Sequence, residues 1–209
     1  MKAVVLLAAV LLPASGLLAA PSYYPPYQPS YSAPQQHNDL AEPAMILRRG
    51  IDILTGYLDD NKGIPPDELR QFLEQEIAPF FDFQRMSYWA AGTLNRYFTP
   101  QQRQRFTLEL RERFIGAMLE QLTGYEQTRL QYLRPRGDMR SGDVSLGVKV
   151  FSANTYPVQI DFHFYRGESG WKVYDVVANG NSAVSFYRKE FSKLARQYGI
   201  AGMFDHFNN

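Results

Sequence analysis

Asp161 and His163 are the two residues whose types and spacing come nearest to doing chemistry. They stand two apart in a run that alternates apolar and polar, so in a strand both point to one face, where a carboxylate and an imidazole could work as an acid–base pair. The same alternation puts Val158, Ile160, Phe162 and Phe164 on the opposite face, which makes the better pocket wall. An unpaired charge is costly to bury, so the plainer reading is a solvated pair. Arg134, Arg136 and Arg140 cluster around Pro135 and Gly137. Such a group suits a phosphate headgroup or an acidic partner, but an ordinary solvated surface loop is the plainer reading. Asp175 interrupts an apolar run and Arg188 follows on the next element, which reads as a structural ion pair. His37 and His206 share no spacing with His163 that would make a metal site. The chain has no Gly-x-Ser-x-Gly, no His-Glu-x-x-His, no glycine-rich phosphate loop and no calcium-loop pattern. No catalytic residue, metal ligand or cofactor is therefore expected.

Composition narrows the class further. The 209 residues are 45% hydrophobic and 14% aromatic, which suits a globular domain rich in rings. Formal charge is +1, and without Lys2 the cations and anions balance. A neutral protein carries no broad field for nucleic acid or an anionic membrane surface. With no cysteine there is no disulfide framework, thiol nucleophile or acylated lipoprotein cysteine.

The elements that must position these residues follow from periodicity. Residues 1–20 carry Lys2, an apolar run from Ala3 to Leu12, Pro13 and the small pair Ala19 and Ala20, as a signal peptide does; the run is short for a membrane span. Residues 21–38 are rich in proline and tyrosine without apolar periodicity, and read as an extended linker; its tyrosines could dock on a partner, but a flexible leader without a binding role is the plainer reading. One domain is expected over 39–209. Leu40, Ala44, Leu47, Ile51, Leu54 and Leu58 predict a helix, and Pro65-Pro66 starts a second that carries Leu69, Phe72, Leu73, Ile77 and Phe80. Asp82 caps a short third helix ended by Gly92. Thr99-Pro100-Gln101-Gln102 is a capping box opening a long, broadly buried helix with Phe106, Leu110, Phe114 and Met118 on one stripe and Leu108, Ile115, Leu119 and Leu122 on another. Strands follow around Thr128 to Tyr132, Leu146 to Val150 and Val158 to Phe164, the last two joined as a hairpin through Asn154. Helices first and strands afterwards predict an α+β fold, several helices packed on a mostly antiparallel β-sheet.

The stretch from Gly170 to Phe191 joins the two layers. Trp171, Val173, Tyr174, Val176 and Val177 predict a central strand covered on both faces. Asn179-Gly180-Asn181 breaks it, Ser182 caps a helix, and Val184, Tyr187, Phe191 and Leu194 give that helix one buried face, with Gly199 at its C-terminal side.

These residues also resemble a family. Gly170 to Val177, then Gly180, Ser182, Val184, Tyr187, Arg188 and Phe191, are similar to the MlaC family, the toluene-tolerance auxiliary component. A second block agrees: Phe81-Asp82-Phe83, Met86, Gly92, Thr99-Pro100, Gln102 to Arg105 and Phe106. The resemblance covers residues 40 to 203, and Asn95, Asn181 and Phe186 depart from its pattern. It implies a monomeric, non-enzymatic carrier in the periplasm, shuttling phospholipid between outer-membrane and inner-membrane complexes and so maintaining outer-membrane lipid asymmetry. Implied partners are an inner-membrane ABC transporter complex with an MCE-domain protein and an outer-membrane lipoprotein complex. It also implies a hydrophobic lipid pocket between sheet and helices, and we assign to its wall Met86, Phe106, Leu110, Phe114, Met118, Val148, Val150, Val158, Ile160 and Phe162. The energetics fit: about thirty CH₂ groups leaving a bilayer uncovered would lose roughly 24 kcal/mol. Two alternatives stay open. One is a carrier of another apolar ligand, such as a hopanoid-like lipid, which pocket shape would distinguish. The other is an enzyme of cone-shaped α+β fold using Asp161 and His163, which requires both to point into the pocket.

Overall fold

Helix starts in this chain are written in local chemistry, and the computed structural model, which describes residues 40–123, 128–138, 142–152 and 156–208, shows where they lead. The apolar stripe from Leu47 to Leu58 folds as α1 (Ala41–Asp60), with Leu47, Leu54 and Leu58 buried. Pro66 occupies the first turn of α2 (Pro66–Phe72), where a missing amide proton costs nothing. The chain then continues as one π-helical turn, Leu73–Ile77, and a 3₁₀ turn, Ala78–Phe80, so the second helix predicted as one piece is three. Asp82 caps α3 (Phe83–Ala91) by accepting from the Arg85 amide at 2.9 Å. A 3₁₀ segment, Gly92–Tyr97, leads to α4 (Pro100–Leu122). There the capping box is complete: Thr99 accepts from the Gln102 amide, and the Gln102 side chain accepts from the Thr99 amide.

The strands are β1 (Arg129–Tyr132), β2 (Arg136–Asp138), β3 (Asp143–Phe151), β4 (Val158–Gly167), β5 (Gly170–Ala178) and β6 (Asn181–Ser182). Every paired strand is antiparallel, in the order β1, β3, β4, β5, β6, and β2 lies beyond β1 along the same edge of β3. The predicted β3–β4 hairpin is present, with Val150 opposite Val158 and Leu146 opposite Phe162, while Asn154 lies outside the described residues. The architecture is thus α+β, a helical layer on an antiparallel sheet.

Three sequence expectations need correction. β5 is not covered on both faces. Trp171, Val173, Val176 and Ala178 are buried, whereas Lys172, Tyr174, Asp175 and Val177 are half-buried. A register break between His163 and Phe164 makes Tyr174 the extra residue of a bulge, which lets Val173 and Val176 face inward although three apart. Among the described residues, only the two of β6 and one parallel bridge to Phe81 lie beyond β5, so it is nearly an edge strand.

The second correction concerns the second stripe of α4, where Ile115 and Leu122 are buried and Leu119 half-buried, but Leu108 is 54% exposed. The third concerns Asp175 and Arg188, which do not pair. Asp175 instead accepts from Ser182 Oγ at 2.6 Å, the Val176 amide at 2.9 Å and the Val184 amide at 3.0 Å, holding the first turn of α5 (Ala183–Asp205). A carboxylate at a helix N-terminus gains from the unpaired amides and the helix dipole, a stronger local demand than a distant arginine. Arg188 donates to the Trp89 carbonyl near the end of α3. Gly199, at φ 71°, kinks α5 rather than ending it, and the residues after it turn helical again, burying Met203 and Phe204.

Candidate functional site

The space between α1 and the sheet is the site that the fold builds. α1 turns Leu47, Gly50, Ile51 and Leu54 toward it, because positions three and four apart share a helix face. The sheet contributes the inward residues of alternate positions: Leu130 from β1, Val148 and Val150 from β3, Ile160, Phe162 and Phe164 from β4, and Val173 from β5. Ile77, Phe80 and Phe81 close one side, and Met118 reaches in from the C-terminal end of α4. The cavity volume is about 70 Å³.

No ionisable side chain is among the lining residues. Thr55 is the single polar side chain there, and its hydroxyl donates to the Ile51 carbonyl at 2.9 Å. A wall whose polar groups are already satisfied gives water nothing to bond to, so such a space stays dry. At its β1 flank the Arg48 guanidinium lies 4.2 Å over the Tyr132 ring. Burial and the Asp52 carboxylate push the Tyr132 phenol up, and Arg48 pulls it back.

Five residues assigned from sequence, Met118, Val148, Val150, Ile160 and Phe162, stand on this wall. The other five do not. Met86, Phe106, Leu110 and Phe114 are almost fully buried, but elsewhere in the core. Phe106 packs against Phe98 and Phe191, and Phe114 against Phe81 and Phe83. Phe81 stands on the cavity wall and Phe114 behind it, so most of α4 serves contacts with other helices. Val158 shares the inward parity of Ile160 and stands opposite Val150, but at the start of β4 it is half-buried and does not line the cavity. The α1 face forms a wall that the sequence does not assign, although Leu47, Ile51 and Leu54 make one apolar stripe in it. Periodicity shows that a face is buried and not which layer covers it.

Asp161 and His163 point away from the cavity, on the outer face of the sheet. The Asp161 carboxylate accepts from Arg136 Nη2 at 2.9 Å and from Gln159 Nε2 at 3.0 Å. It can pack there because β3 carries Gly147 opposite: a Cβ at that position would stand 2.8 Å from Asp161 Oδ1 and 2.9 Å from Leu133. His163 stacks edge-on to Tyr174, whose hydroxyl donates to Asp143 at 3.0 Å. Burial, then the Asp143 charge and hydrogen bond, push that phenol up to about 12. Arg136 is thus engaged by Asp161, while Arg140 lies outside the described residues. Among the described residues no group of histidines and carboxylates could hold a metal ion, and no helix is long and apolar enough to cross a membrane.

Helices laid on an antiparallel sheet around a dry, uncharged space define an α+β protein fitted to hold apolar groups away from water. Comparison with known proteins makes the class particular. A family model described as MlaC protein matches residues 49–209, and the chain belongs to the MlaC family. It is 22% identical over 164 residues to the intermembrane phospholipid transport system binding protein MlaC of Haemophilus influenzae, covering 76% of this chain and 77% of that one. In three dimensions it is similar to the phospholipid-binding protein of Ralstonia solanacearum, whose structure was solved in complex with a phospholipid. The TM-score is 0.72 at 22% identity, over 78% of this chain and 93% of that one.

Proposed function

We propose that this chain is a periplasmic phospholipid carrier that takes acyl chains between α1 and the sheet. In this reading it shuttles lipid between an outer-membrane lipoprotein complex and an inner-membrane ABC transporter complex with an MCE-domain protein, and so maintains lipid asymmetry of the outer membrane. It acts as a monomer and performs no catalysis. The observation that carries the reading is the cavity wall: an apolar lining without an ionisable group, in a chain of the MlaC family. The outward direction of Asp161 and His163 supports it, since the enzymatic alternative needs both inside.

The size of the cavity adds a requirement. At about 70 Å³ it is smaller than the roughly 150 Å³ apolar cavity that admits a benzene molecule. Acyl chains therefore enter only as α1 and the sheet part. The opening costs apolar contacts between the walls, and the entering chains replace them at about 0.8 kcal/mol per CH₂.

The test is lipid retention after incubation with phosphatidylglycerol vesicles. Leu130→Asp, on the half-exposed edge of the wall, and Phe162→Asp, deeper in it, each remove one apolar contact and add a charge. Loss of about 2 kcal/mol of burial lowers affinity roughly 30-fold, whereas Lys193→Asp on the exposed face of α5 leaves it unchanged. Equal retention by all three folded variants would refute the assignment of the wall.

A further inference from the structure

A second concavity lies outside the cavity, between α3, the Gly92–Tyr97 segment and the start of α4. It measures about 630 Å³, within the ordinary range of roughly 300–1,000 Å³ for ligand sites. Phe98, itself buried, lies at its floor, Tyr88 and Leu108 stand in its walls at 58% and 54% exposure, Gln84 and Gln104 bring side-chain amides to it, and Arg103 stands there with Nε and Nη2 donating to Asn95. No carboxylate lines it. An exposed tyrosine ring beside side-chain amide donors and an exposed leucine is what a proline-rich strand needs, because in that conformation the backbone carbonyls have no internal partner and the pyrrolidine rings pack on aromatic faces.

From this we infer that the groove is the docking site of the chain's own segment 21–38. That segment carries Tyr23, Tyr24, Tyr27 and Tyr31 among five prolines, has no Lys, Arg, Asp or Glu, and ends just before α1. Fully extended, its eighteen residues span about 55 Å, against a radius of gyration of about 15 Å for a domain of this size, so length does not prevent the contact. Tethering supplies an effective concentration on the order of millimolar, which makes even a weak contact sufficient. The absence of acids in the groove leaves the uncharged, carbonyl-rich segment without a repelling group. Docked there, the segment covers Tyr88 and Leu108, and any protein that binds this face must first displace it.

The experiment uses the chain from residue 21 to 209. Because the sequence has no cysteine, Ser30→Cys gives a single attachment point for a nitroxide label without further changes. The prediction is loss of the amide signals of Gln84, Tyr88 and Leu108 in the NMR spectrum of the labelled protein, and their return in the Leu108→Asp variant and in the variant with all four tyrosines changed to serine. Leu108 is a surface residue, so its substitution leaves the fold intact, which the remaining amide signals verify. Loss spread evenly over the surface, loss centred elsewhere, or loss at the groove that survives both variants would overturn the inference and leave the groove to a partner protein.

Discussion

Asp175 shows how one side chain can fix the junction between two layers. Its carboxylate takes three donors, from Val176, Ser182 and Val184, and so ties the end of β5 to the first turn of α5. Asp175→Ala leaves those donors without their acceptor and should lower stability by about 2–3 kcal/mol in urea unfolding, more than an exposed substitution on α5 would. A loss below about 0.5 kcal/mol would show that water replaces the carboxylate. Tyr174 gives a second residue-scale prediction. Its phenol ionises near 12 in the folded protein against about 10 unfolded, so its contribution is fully present below pH 10 and is lost as pH rises through 12. Spectrophotometric titration should show Tyr174 late, in company with the buried Tyr187 and with Tyr132, whose phenols burial also pushes up. In Asp143→Asn Tyr174 should titrate earlier, because the Asp143 charge and hydrogen bond follow burial among the causes of the shift.

Element by element, what was legible in the sequence was local. Thr99 with Gln102, Asp82 and Ser182 announced helix starts, and the structure has those caps with their hydrogen bonds. The alternation of Ile160, Phe162 and Phe164 against Asp161 and His163 gave the inward face of β4, and with it part of the cavity wall. What stayed hidden depends on contacts between elements distant in the chain. Nothing in the spacing of Phe106, Leu110 and Phe114 tells whether they meet the sheet or α5, and rings at 4.5 Å from Phe106 to Phe191 decide it. The bulge at Tyr174 was hidden likewise, since it arises from pairing with β4. α1 also carries an intrinsic weakness that can be relieved. Gly56 lies exposed in its middle with nothing within 4 Å of an added Cβ. Gly56→Ala should stabilise the protein by about 0.5–1 kcal/mol, read from the urea midpoint, without touching the cavity wall. A lowered midpoint would mean that α1 gains from the freedom of that glycine.

For the whole molecule, the arrangement sets a lightly filled space between one long helix and a sheet, and keeps charge on the outer faces. Neutral overall charge and an apolar interior suit a carrier that covers acyl chains and leaves a headgroup in water, where no cationic pocket is required. The most direct measurement of that claim is native mass spectrometry of the protein purified from periplasm without detergent, followed by lipid extraction. The account predicts a bound mass matching a diacyl phospholipid, lost in Phe162→Asp. Protein that carries no lipid and also takes none from phosphatidylglycerol vesicles, or that carries a rigid polycyclic lipid instead, would contradict it.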